Sequence, residues 1–160
     1  MDSRQVRTAI NEEPVHHQQV MATGRVHIWP GDDMMHRVPH GFRWPNGKNT
    51  MIMWNFWFFG EACRGIVPYK FITPNEELCT RQCKTDRSRT VKVIYTLIDI
   101  AVNAGKINNQ RCVDVNNSTD IFDYAFGELM RRIYPDNPDK RGTDLTVTAV
   151  YERMRKIDRQ

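Results

Sequence analysis

Residues 51–59 read Met-Ile-Met-Trp-Asn-Phe-Trp-Phe-Phe, apolar everywhere but Asn55, and Gly60 follows at once. A segment of this kind is stable only when buried on most of its sides, so the rest of the chain must build a core around it. It is far shorter than the roughly 20 residues that a membrane span requires. Aromatic residues also suit strands. Asn49 in front is a good N-cap and Gly60 behind is a good C′ residue, so the spacing predicts a helix. With 160 residues the chain makes one domain, or one domain plus a tail.

The first 48 residues differ from the remainder. They carry His16-His17-Gln18-Gln19, Pro14, Pro39 and Pro45, a Pro30-Gly31 turn signal, and no sustained helical or strand period. They read as a poorly ordered arm, residues 1–48, with Trp29 and Phe42-Arg43-Trp44 as anchoring points. The opening residues lack the apolar stretch of a signal peptide. The four cysteines are therefore expected to be free thiols in a reducing compartment.

Residues 49–160 read as a helical domain, divided into parts 49–106 and 118–158. Thr73-Pro74-Asn75-Glu76 carries a cap, an N1 proline and a capping-box glutamate, predicting a short helix to about residue 84. A further helix is expected from Ser88 or Thr90, with Val91, Ile94, Leu97, Ile98 and Ala101 as its apolar stripe and Gly105 as its stop. Ser118 and Thr119 are candidate caps for the next helix, in which Ile121, Phe122, Ala125, Phe126, Leu129, Met130 and Ile133 share a face. Thr143 or Asp144 is the candidate start of the last, packed through Val147, Val150, Met154 and Ile157. The fold class is all-α, a compact bundle of about five helices with no convincing strand pair.

Net charge is +4, and its distribution matters more than its size. Residues 79–92 hold Arg81, Lys84, Arg87, Arg89 and Lys92 against the single acid Asp86, a surplus equal to the whole net charge. This window spans the end of the expected second helix and the start of the third, the arrangement of a helix-turn-helix unit. In such units the beginning of the later helix enters the major groove. Arg87, Ser88, Arg89, Thr90 and Lys92 would then face DNA. Arginine is suited to guanine edges and phosphates, serine and threonine to phosphate oxygens. Arg81 and Lys84 join from the preceding helix, and Tyr95 and Thr96 extend the contact by a turn. Arg131, Arg132, Lys140 and Arg141 form a second candidate backbone contact. About five neutralised phosphates predict a log K against log salt slope near −4 to −5. A solvated basic face without a ligand is the plain alternative.

Residues 42–106 resemble the C-terminal DNA-binding domain family of yeast glycolytic-gene transcriptional activators, which also occurs in Crypton-type mobile-element proteins. The resemblance is carried by Trp54-x-x-Trp57-Phe58-Phe59-Gly60, by Val67-Pro68-Tyr69 and by the basic opening of the following amphipathic helix. It implies a sequence-reading DNA-binding module, transcriptional or mobile-element-derived, in the nucleus, with double-stranded DNA as partner. The Crypton relationship also directs attention to His40-Gly41-Phe42-Arg43 and Tyr69, which have the His-x-x-Arg and tyrosine spacing of tyrosine recombinases. About 40 loosely patterned residues precede His40, too few for the upstream catalytic arginine and its domain, so no recombinase activity is expected.

Other chemistry finds little support. Cys79 and Cys83 would share one helix face, but zinc needs four ligands, and Cys63, Cys112 and His36 or His40 would have to converge. No phosphate loop, nucleophile elbow or His-Glu-x-x-His is present. No enzyme activity, cofactor, metal, membrane partner or small-molecule substrate is expected. The competing reading is a protein-interaction or homodimer module, using the arm's aromatics with Tyr124, Tyr134 and Tyr151.

Overall fold

The computed structural model describes residues 20–21, 24–28, 35–38, 41–74, 80–108 and 113–159. The aromatic run is the helix its caps predict. α1 spans Thr50–Phe59, the Asn49 side chain accepts from the Ile52 N–H at 2.8 Å, and the Gly60 N–H closes the far end on the Phe56 carbonyl at 2.9 Å. The next orphan donors of α1, the Thr50 and Met51 N–H groups, reach the carbonyls of Leu145 (2.9 Å) and Gly142 (3.2 Å). A distant loop thus completes the cap of this helix.

The chain then turns back on itself through 3₁₀ turns at Ala62–Arg64 and Tyr69–Phe71, packing Ile66, Val67, Tyr69 and Ile72 into the core. Pro74 is helical, while Glu76 and the body of the expected short helix lie outside the described residues. The expected break near residues 84–88 does not exist. α2 runs without interruption over Arg81–Asn103, 23 residues, with Thr80 accepting from the Cys83 N–H at 3.0 Å. At about 1.5 Å per residue it is roughly 34 Å long. Its end is a Schellman motif: the Lys106 N–H reaches the Ala101 carbonyl (2.8 Å), the Gly105 N–H reaches Val102 (3.0 Å), and Gly105 has φ +75°.

Of the two expected helix starts, Ser88 is an exposed residue inside α2 and Thr90 is taken up by the core. Thr90 is buried, accepts the Trp44 indole N–H at 3.0 Å and donates to the Asp86 carbonyl at 3.0 Å. The bond to the carbonyl four residues back is compatible with a continuous helix, so Thr90 does not act as a cap. Thr90→Val should strand the buried Trp44 N–H and lower stability by about 1–3 kcal/mol. Urea unfolding followed by circular dichroism measures this, and an unchanged midpoint would deny the bond.

α3 spans Ser118–Ile133, and its predicted face is buried throughout. Ser118 is not the cap, because its hydroxyl accepts the Trp54 indole N–H at 2.9 Å. α4 spans Val147–Asp158, starting later than Thr143 or Asp144. Thr146 caps it by accepting from the Ala149 N–H at 3.1 Å, while Asp144 closes the preceding turn on the Arg141 N–H at 3.0 Å. α2 lies against both α3 and α4, and α1 meets α4 near Thr146.

Every regular element described from residue 38 onward is helical, so the all-α expectation holds for this core, with four α-helices of ten residues or more among the described residues. Two features of the arm depart from expectation. Phe42 and Trp44 anchor in the core as expected, but Val38 is buried with them, so the core begins before residue 49. Upstream, β1 (Val20–Met21), β2 (Gly24–Ile28) and β3 (Met35–Arg37) form an antiparallel sheet in that order, pairing Val20 with Arg25 and His27 with His36. Backbone pairing, which needs no strict side-chain alternation, explains why the composition did not announce it. Trp29 and the His16-His17 pair lie outside the described residues.

Candidate nucleic-acid interface

Because α2 is continuous, its basic residues are sorted by helical rotation rather than by two helices and a turn. Arg81, Lys84, Ser88 and Lys92 recur at intervals of three and four, so they line one face, and all four are exposed. Asp86 falls on the opposite side. It is buried, with its carboxylate accepting from Gln82 Nε2 at 2.9 Å and Asn46 Nδ2 at 3.4 Å. The only acid of the basic window is thus turned into the protein. Arg81, Lys84 and Lys92 have no carboxylate partner among the described residues. Among the described residues, no acid neutralises this outward positive face.

The other expected contacts separate. Arg87 and Arg89 sit roughly 100° to either side of that face. Arg87 Nε donates to the Ile72 carbonyl at 3.2 Å, and burial lowers the pKa of its guanidinium, an effect the neighbouring Tyr95 partly opposes. It ties the 66–72 segment to α2. Arg89 lies over the Tyr151 ring of α4, 5.6 Å from its centre. Thr90 is interior and unavailable to any ligand. Tyr95 is 48 % exposed and meets Trp57 edge-on at 5.8 Å, and the Thr96 hydroxyl donates back to the Lys92 carbonyl at 2.8 Å. The helix-turn-helix placement of Arg87, Ser88, Arg89, Thr90 and Lys92 is therefore corrected: they lie one to three turns inside α2, whose first turn is Arg81–Lys84.

The second expected set is not assembled as one contact. Arg131 pairs with Glu128, Arg132 is exposed beside it, Lys140 stands over the Tyr134 ring at 5.0 Å, and Arg141 is exposed in the 141–144 turn. Arg155 was not anticipated. It shares the Tyr151 ring with Arg89, at 5.8 Å, and so joins the flank of α2 to α4. Its sequence signal was faint, since the basic side of the last helix has the look of any solvated face.

The tyrosines considered for a protein partner are largely covered by cations. Lys106 lies over Tyr124 at 4.9 Å, Lys140 and Arg153 over Tyr134, and Arg89 and Arg155 over Tyr151. The large apolar side chains left exposed among the described residues, Tyr95, Val115 and Tyr124, belong to three different segments.

No family model, curated protein or solved structure matches this chain. The fold and the charge distribution carry the functional argument.

Tyr69 bears on the recombinase spacing. It is 0 % exposed, with Phe42, Trp44 and Phe56 packed around its ring, and its hydroxyl donates to Glu61, which also holds Arg64 at 2.8 Å. Burial first, then the Glu61 bond and charge, push the phenol far above its usual pKa. In this arrangement Tyr69 is a packing residue that no phosphate reaches. His40 lies outside the described residues. Cys63 is at the surface and Cys83 is buried, while Cys79 and Cys112 lie outside the described residues. No helix among the described residues is long and apolar enough to cross a membrane.

Proposed function

We propose that this protein binds double-stranded DNA through the outward face of the N-terminal half of α2. The observation that carries the reading is the face itself: Arg81, Lys84 and Lys92, with Ser88 between them, point outward while Asp86 is held in the core. A helix presenting cations at three- and four-residue spacing, with no acid partner among the described residues, is suited to phosphate contacts along a groove. The resemblance of residues 42–106 to the glycolytic-activator DNA-binding family supports the same reading. With it go a role in transcription, or descent from a mobile element, and a nuclear location.

The structure revises the contact set. The three outward cations on α2 are expected to contribute about −3 to the salt slope, rather than the −4 to −5 that five would give. Arg87 is excluded from the test because its removal strands the Ile72 carbonyl. R81Q/K84Q/K92Q should weaken binding of a random-sequence duplex by roughly 100- to 1,000-fold at 0.1 M salt, with helicity unchanged. Fluorescence anisotropy across a salt series measures this. A wild-type protein with no binding or a flat salt dependence would remove the proposal, and full binding by the triple variant would move the site off α2.

A further inference from the structure

The charge that α2 presents does not end at Tyr151. A groove of about 460 Å³ opens between the C-terminal end of α3 and α4, lined by Tyr134, Glu152, Arg153, Arg155, Lys156 and Arg159. Four cations against one acid crowd a small volume, and their mutual repulsion is relieved by an anion.

Part of the groove is held in place in advance. Arg153 Nε donates at 2.6 Å to the Ile133 carbonyl, one of the orphan acceptors at the end of α3, and its guanidinium lies over Tyr134 at 4.8 Å. These two contacts fix the plane of the guanidinium and leave its terminal nitrogens as donors. A cation already ordered loses less freedom on meeting a phosphate. Glu152 does little to neutralise the site. It approaches Arg155 only at 3.7 Å, and both side chains are about half exposed, at 52 % and 44 %.

We infer that this groove is a second phosphate-backbone site for the same DNA duplex that α2 engages, an inference that rests on the DNA-binding reading. Continuity selects this occupant over a free phosphate: Arg89 of α2 and Arg155 of α4 share the Tyr151 ring, so the groove adjoins the flank of the α2 face. Arg153, Arg155, Lys156 and Arg159 would take phosphates beyond those met by Arg81, Lys84 and Lys92.

The test uses the full chain and a labelled random-sequence duplex titrated across salt. Seven engaged cations predict a slope near −6, and R155Q/K156Q/R159Q should bring it to about −4 with roughly 100-fold or greater loss of affinity at 0.1 M salt. These residues also favour the C-terminal end of α4, so circular dichroism accompanies the titration. E152Q removes no cation and should tighten binding several-fold. A wild-type slope near −3 that the triple variant leaves unchanged, or an E152Q protein that binds no better, overturns the second site while leaving the α2 reading standing. Absent or salt-independent binding by the wild type overturns both.

Discussion

Trp54→Ala is expected to lower the unfolding free energy by about 3–5 kcal/mol, the range for removing a buried tryptophan. Trp54 is 0 % exposed and joins α1 to α3 in two ways, besides packing on Phe58 within α1. Its ring meets Phe58 at 4.8 Å and Phe122 at 5.4 Å, and its indole N–H donates to Ser118 at 2.9 Å. The substitution opens a cavity between the two helices and takes a hydrogen bond from the buried Ser118 hydroxyl. Domains are commonly stable by only about 5–15 kcal/mol, so this one residue decides whether much of the population folds. Urea unfolding followed by circular dichroism measures the loss, with Tyr124→Ala, a partly exposed position on α3, as the control. A change below about 1 kcal/mol would contradict the packing of α1 on α3.

Gly60→Ala should be nearly as damaging, for a different reason. Gly60 has φ +68°, and a Cβ placed there would stand 2.3 Å from the Ile66 carbonyl oxygen, 2.7 Å from the Val67 carbonyl carbon and 2.8 Å from the Pro68 nitrogen. All three are backbone atoms, so no rotamer change makes room. Gly47 is the comparison, with φ +83° and nothing within 4 Å of its notional Cβ. Gly47→Ala should cost about 1–2 kcal/mol of left-handed strain alone, whereas Gly60→Ala should lose at least about 3 kcal/mol, because strain and steric displacement combine. Thermal unfolding of the two variants separates the terms, and equal losses would mean that the chain does not return so closely against α1. The consequence reaches the proposed interface, because the returning segment carries the Ile72 carbonyl that holds Arg87.

Much of the helical core was legible from local signals. Asn49 and Gly60 bracket α1, the apolar stripe of α3 is buried as spaced, and Gly105 ends α2 in the left-handed conformation its position suggests. Starts were harder to read. Ser118 and Asp144 have the chemistry of caps, yet one hydroxyl is taken by Trp54 and the other carboxylate by the Arg141 amide, while Thr146 caps α4. The false break in α2 has the same origin. Thr90 resembles a helix start only while its partner, Trp44, is out of view.

The residue order alone specified a helical core, the aromatic segment at its centre and a concentration of positive charge in one window, because burial, capping and charge density are properties of neighbours along the chain. Which of those charges look outward depended on the fold. Asp86 turns inward toward Asn46, Arg87 is held by Ile72, and Arg89 is drawn to Tyr151 beside Arg155. Each of these outcomes is set by a contact between residues distant in sequence, so only the packed chain separates three outward cations on one face from five basic residues in one window.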